Sequence, residues 1–74
     1  MLMNRGKGIL FTDFTTILEA FGFYLDRING SHYIYIHKSI KQLISVQSDG
    51  KEAKPYQIKQ FIAIVERFNL KMEE

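Results

Sequence analysis

The chain has 74 residues, no cysteine and a formal net charge of +2 at pH 7. That length suits one domain and leaves no room for a large enclosed cleft, because a chain of this size buries only about 60% of the surface it exposes when unfolded. The absence of cysteine excludes disulfides, thiolate nucleophiles and thiolate metal sites. A hydrophobic content of 46%, with six Phe and four Tyr, argues against disorder and for a single domain over residues 1–74, ordered from about 12 to 70.

From Met1 to Phe11 the only apolar run is Ile9-Leu10-Phe11, too short for a signal-peptide core or a membrane span, so a loose N-terminus and a soluble, cytoplasmic protein are expected. Thr12-Asp13 can cap a helix in which Phe14, Ile17, Leu18 and Phe21 fall on one face at helical spacing. Gly22 suits the left-handed residue that follows a helix end, which places that end near Phe21. Phe23 to Ile28 is rich in β-formers and runs into Asn29-Gly30, a pair that favours a type I′ hairpin. The returning strand is Ser31 to His37. Alternation puts His32, Ile34 and Ile36 on one of its faces and Ser31, Tyr33, Tyr35 and His37 on the other, and both are apolar enough to serve as the core side.

Lys38 to Gln42 reads as a polar connection, Leu43 to Gln47 as a third strand, and Ser48-Asp49-Gly50 as the turn that closes it. Pro55 fits the first turn of a second helix carrying Ile58, Phe61, Ile62, Val65 and Phe68 at helical spacing. After Leu70 the tail Lys71 to Glu74 is expected to fray. The order helix, strand, strand, strand, helix predicts an α+β fold: a two-layer sandwich with a three-stranded antiparallel sheet, both helices on one side and the other sheet face open.

His32 is the side chain with the best-defined catalytic setting. Imidazole exchanges protons near neutral pH, and Gly30 and Ser31 leave the space beside it uncrowded. His37 looks like a surface residue at a strand end. The two histidines are an odd number of positions apart, hence on opposite faces, and no acidic cluster accompanies either, so neither a metal nor any other cofactor is expected. Between Arg27 and Lys59 six basic residues face two acidic ones, a local excess of four positive charges. Among them Arg27, Lys51 and Lys54 could hold a phosphate, the two lysines at the start of the second helix, where an anion is already favoured. Tyr33 and Tyr35 could stack on bases but read better as core.

The run Gly30-Ser31-His32-Tyr33-Ile34-Tyr35, followed by Lys51-Glu52-Ala53-Lys54-Pro55 and an amphipathic helix, resembles the HicA family of toxins over about residues 12 to 70. The resemblance implies a fold like the double-stranded-RNA-binding domain and the activity of an mRNA interferase in a type II toxin-antitoxin pair. It places the catalytic histidine at His32, the motif glycine and serine at Gly30 and Ser31, and the basic stretch at Lys51 and Lys54. It further implies mRNA as substrate and a HicB-type antitoxin as partner, with no membrane or DNA partner for this chain alone. The chain departs from the family pattern at Gln47-Ser48-Asp49, where a proline and a further histidine are often found, and at Tyr56-Gln57, which replaces a common Gly-Thr.

The expectation is therefore a metal-independent endoribonuclease in which His32 moves a proton while the RNA 2′-hydroxyl attacks the adjacent phosphodiester. The alternative is a non-catalytic module of the same fold that binds RNA or only its antitoxin.

Overall fold

The first helix, α1 (Phe11–Ala20), starts one residue before the Thr12 expected to cap it, and no side chain caps it. The computed structural model, which describes residues 8–73, shows why. A backbone group does the work of the cap: Phe11 N–H donates to the Lys51 carbonyl (2.8 Å), while Leu10 bridges to Glu52. Asp13 lies in the first turn, where its charge complements the helix dipole. Thr12 instead turns its carbonyl to the hydroxyls of Thr15 and Thr16, which donate to it at 3.0 and 2.9 Å. Gly22 then adopts φ +96° and its N–H donates to the Glu19 carbonyl (3.0 Å), the expected helix stop.

Three antiparallel strands follow: β1 (Phe23–Asn29), β2 (His32–His37) and β3 (Leu43–Val46), in the order β1-β2-β3. The hairpin between β1 and β2 corrects the expected turn. Asn29 pairs with His32, so the two central residues are Gly30 and Ser31, and only Gly30 takes positive φ (+65°). That is the glycine-first pattern of type II′, not the Asn-Gly pattern of type I′. In β1 the register slips at Asp26, an extra residue between Leu25 (opposite Tyr35) and Arg27 (opposite Ile34). This bulge reverses the alternation along the strand.

Beyond β3, the stretch expected to be a plain turn forms a second small sheet, β4 (Ser48–Asp49) with β5 (Glu52–Ala53), around Gly50 at φ +66°. Ala53 N–H donates to the Ile9 carbonyl (2.8 Å), so this hairpin is held against the segment leading into α1.

The final helix, α2 (Pro55–Phe68), has its proline in the first turn and ends on Asn69 at φ +54°. Its buried residues are Gln57, Phe61 and Ile64, while Ile62 and Phe68, both expected on the core face, are exposed. The face is rotated relative to the sequence reading because a polar residue, Gln57, occupies one of its buried positions.

Both helices cover one face of the sheet, the side of Tyr33 and Tyr35. Phe14 and Leu18 of α1, Phe61 and Ile64 of α2, and Phe23, Tyr35, Ile44 and Val46 of the sheet form one core with Ala53. Phe61 sits at its centre, meeting Phe14, Phe21 and Phe23 edge to face at 5.8, 5.3 and 6.1 Å between ring centres. The architecture is thus the expected α+β sandwich, with the small β4–β5 hairpin added.

Two further expectations are corrected. His37 is no surface residue but is buried: its Nδ1 accepts hydrogen bonds from the backbone N–H of Ser39 (3.0 Å) and Ile40 (3.2 Å), and its ring packs on Phe23. It serves as an internal cap for the turn after β2. Nor is the tail free through Glu73, whose N–H donates to the Ala20 carbonyl (2.7 Å) and whose carboxylate pairs with Lys38 (2.6 Å). The looseness expected of Met1 to Lys7 and of Glu74 concerns residues outside those described.

Candidate active site

His32 opens β2 immediately after the turn. Because Tyr33 and Tyr35 face the helices, period-two alternation sends His32, Ile34 and Ile36 to the open face. The imidazole is exposed there. Its polar contact is Ser45 of β3, whose Oγ lies 3.4 Å from Nδ1. Ile34 pairs directly with Ser45, so Ser45 is the diagonal neighbour of His32 on the same face.

The bulge at Asp26 brings Arg27 to this face. Regular alternation from Phe23 would turn Arg27 toward the helices, and the extra residue places it opposite Ile34 instead. Its guanidinium is ion-paired to Asp26 and both remain in contact with solvent. Around them the open face carries exposed Tyr24 and Leu43, with Ile34 buried between its strand neighbours.

Gly30 and Ser31 form the exposed turn at the edge of the site. A β-carbon added to Gly30 would meet nothing within 4 Å, so this turn leaves the ground beside His32 open. Lys51 and Lys54 belong to a different element, the β4–β5 turn and the residue preceding α2. Neither is hydrogen-bonded to His32 among the described residues. Both nevertheless lie toward the same end of the molecule, by two chains of contact. Phe11, whose N–H meets the Lys51 carbonyl, stacks edge to face on Tyr33 at 5.3 Å. Val46 pairs with Tyr33, and the next residue, Gln47, donates its N–H to Gln57 Oε1 (3.0 Å) in the first turn of α2.

The N-termini of both helices therefore converge on the end of the sheet that carries the hairpin turn and His32. An exposed imidazole and a guanidinium on one open sheet face, with Lys51 and Lys54 on the neighbouring element, are groups that suit an anionic ligand better than a cationic one.

Across residues 11–66 the chain matches a family model described as HicA toxin of bacterial toxin-antitoxin. The chain belongs to the HicA toxin family. The match runs from the first residue of α1 almost to the end of α2 and so contains every residue of the site. No curated protein and no solved structure matches the chain. Membership in the HicA family makes it a toxin of a toxin-antitoxin pair, with an antitoxin as its partner. Among the described residues no helix is long and apolar enough to cross a membrane.

Two residues of this HicA site escaped sequence reasoning. Ser45 is the one polar residue in Leu43-Ile44-Ser45-Val46, a signal that points to the open face but names no partner. Gln57 is a buried polar residue on an apolar helix face, which periodicity alone treats as surface.

Proposed function

We propose that this HicA-family toxin is an endoribonuclease that cleaves mRNA, with His32 as its catalytic residue. The observation that carries the reading is the placement of an exposed imidazole on the open sheet face, directly after a two-residue turn and 3.4 Å from Ser45 Oγ. In this mechanism His32 takes the proton of the 2′-hydroxyl. The 2′-oxygen bonds to phosphorus, the bond to the 5′-oxygen breaks, and the departing 5′-oxygen takes up a proton from water, to which His32 returns the one it removed. The products are a 2′,3′-cyclic phosphate and a 5′-hydroxyl. Imidazole supplies the proton transfer itself, so the reaction needs no metal, and DNA, which lacks the nucleophile, is spared.

Arg27 neutralises the phosphate on the open face, with Lys51 and Lys54 holding the flanking backbone, and Gly30 and Ser31 admit the strand beside His32. A HicB-type antitoxin that covers this face, with its exposed Tyr24 and Leu43, blocks the RNA and silences the toxin. The toxin then works in the cytoplasm, where both mRNA and antitoxin are made.

The test is incubation of purified protein with a defined mRNA in EDTA, parent beside His32→Ala, with both checked for folding. One general acid-base group contributes about 10²- to 10⁴-fold, so His32→Ala should lose cleavage by that factor. An exposed residue of this kind changes stability by only about 0.5 kcal/mol, so the variant should stay folded. Equal cleavage by both proteins rejects His32, and no cleavage by either moves the function to non-catalytic RNA or antitoxin binding. A steep loss of RNA affinity with added salt then identifies phosphate contacts.

A further inference from the structure

His32 has two ring nitrogens, and only one of them can face a substrate while the other faces Ser45. The hydroxyl lies 3.4 Å from Nδ1 and is the polar side chain that this imidazole touches among the described residues. A general base needs its outward nitrogen free of a proton, which for a neutral ring requires the proton to sit on Nδ1. We infer that Ser45 is a positioning residue for His32: Nδ1–H donates to Ser45 Oγ, which holds the ring in the tautomer that leaves Nε2 bare and turned to solvent. For its catalytic consequence this rests on the nuclease reading above. The tautomer itself does not.

Two features of the fold support it. The pairing of Ile34 with Ser45 sets the serine diagonally across from His32, so backbone register and not chance rotation places the hydroxyl. Leu43, Ile44 and Val46 supply no other hydrogen-bonding side chain along β3. The 3.4 Å separation is at the long end of the hydrogen-bond range, which leaves room for the contact to tighten when substrate seats. Ser45 does not touch the reacting atoms in this scheme. It acts through the ring.

The experiment uses the whole chain with nitrogen-15-labelled histidine and reads the long-range nitrogen–proton correlations of the imidazoles at mildly alkaline pH, where imidazoles are neutral. His37 is a built-in reference, because its Nδ1 accepts two backbone N–H bonds and its proton must therefore be on Nε2 in every folded variant. In the parent, His32 should show the Nδ1–H form. Ser45→Ala should shift it to the Nε2–H form that free histidine prefers, and Ser45→Thr, which keeps the hydroxyl, should restore the parent pattern. In RNA cleavage Ser45→Ala should lower kcat/KM about fivefold, the rate equivalent of one ordinary hydrogen bond, and Ser45→Thr should recover most of it. An Nε2–H form of His32 in the parent overturns the inference, as does an unchanged His32 spectrum in Ser45→Ala with the His37 signals intact. If the parent cleaves no RNA, the nuclease reading fails, yet the spectra still decide the tautomer.

Discussion

At the scale of single residues, Gly22 and Gly30 show how one backbone requirement can have two different costs. Both take positive φ, +96° and +65°, where a side chain is strained. Gly30 lies open to solvent, whereas a β-carbon on Gly22 would come within 2.8 Å of His37 Nε2 and 2.7 Å of Glu73 Oε2. Gly30→Ala should therefore lose only backbone strain, about 1 kcal/mol, in urea unfolding. Gly22→Ala should lose about 1–3 kcal/mol to strain and more to displacement of the His37 ring. Equal losses would show that the ring and the tail adjust freely. Gly22 was legible as a helix stop from its position after Phe21, but its role as the floor beneath His37 was not, because that contact joins elements far apart in sequence.

Between elements, the decisive joint is the one from β3 to α2. Gln57 is buried, and its Oε1 takes the Gln47 N–H just past the last residue of β3, while its Nε2 donates to the Tyr56 hydroxyl at 3.4 Å. This bond sets where α2 begins relative to the sheet, and with it the convergence of the helix N-termini behind His32. Gln57→Met keeps the volume but removes the acceptor, leaving a partly buried N–H unpaired. The expected loss is about 1–3 kcal/mol by urea denaturation, with weaker RNA binding as Lys54 shifts. Unchanged stability would mean that water replaces the amide. The bulge at Asp26 works at this scale too. A one-residue slip turns Arg27 from the covered face to the open one. Reading the pattern of Phe23 to Ile28 cannot locate such a slip, since it is a property of the pairing and not of the strand.

For the molecule as a whole, the core ties stability to alkaline pH through Tyr35. Burial, reinforced by the negative charge of Glu19, raises its phenol above the ordinary 10.0, against a smaller opposing effect from Thr15. The neutral phenol is the form the fold keeps. Its contribution is therefore complete below pH 10 and is lost as pH climbs through the raised folded value. The denaturation midpoint of the parent should fall above pH 10, and Tyr35→Phe should fall less steeply. Parallel curves would place the alkaline sensitivity elsewhere.

The order of helix, strands and helix, the hairpin, the shared face of His32, Ile34 and Ile36 and the family were within reach of the sequence alone. They depend on local periodicity, on glycine and proline placement and on a contiguous motif, all of which involve neighbours along the chain. The tertiary structure alone decided which face of β2 is covered, that Arg27 joins His32, that His37 is an internal cap, and that Ser45 meets the imidazole. Each of these depends on register, on a bulge or on burial, and those are set when distant segments compete for one core.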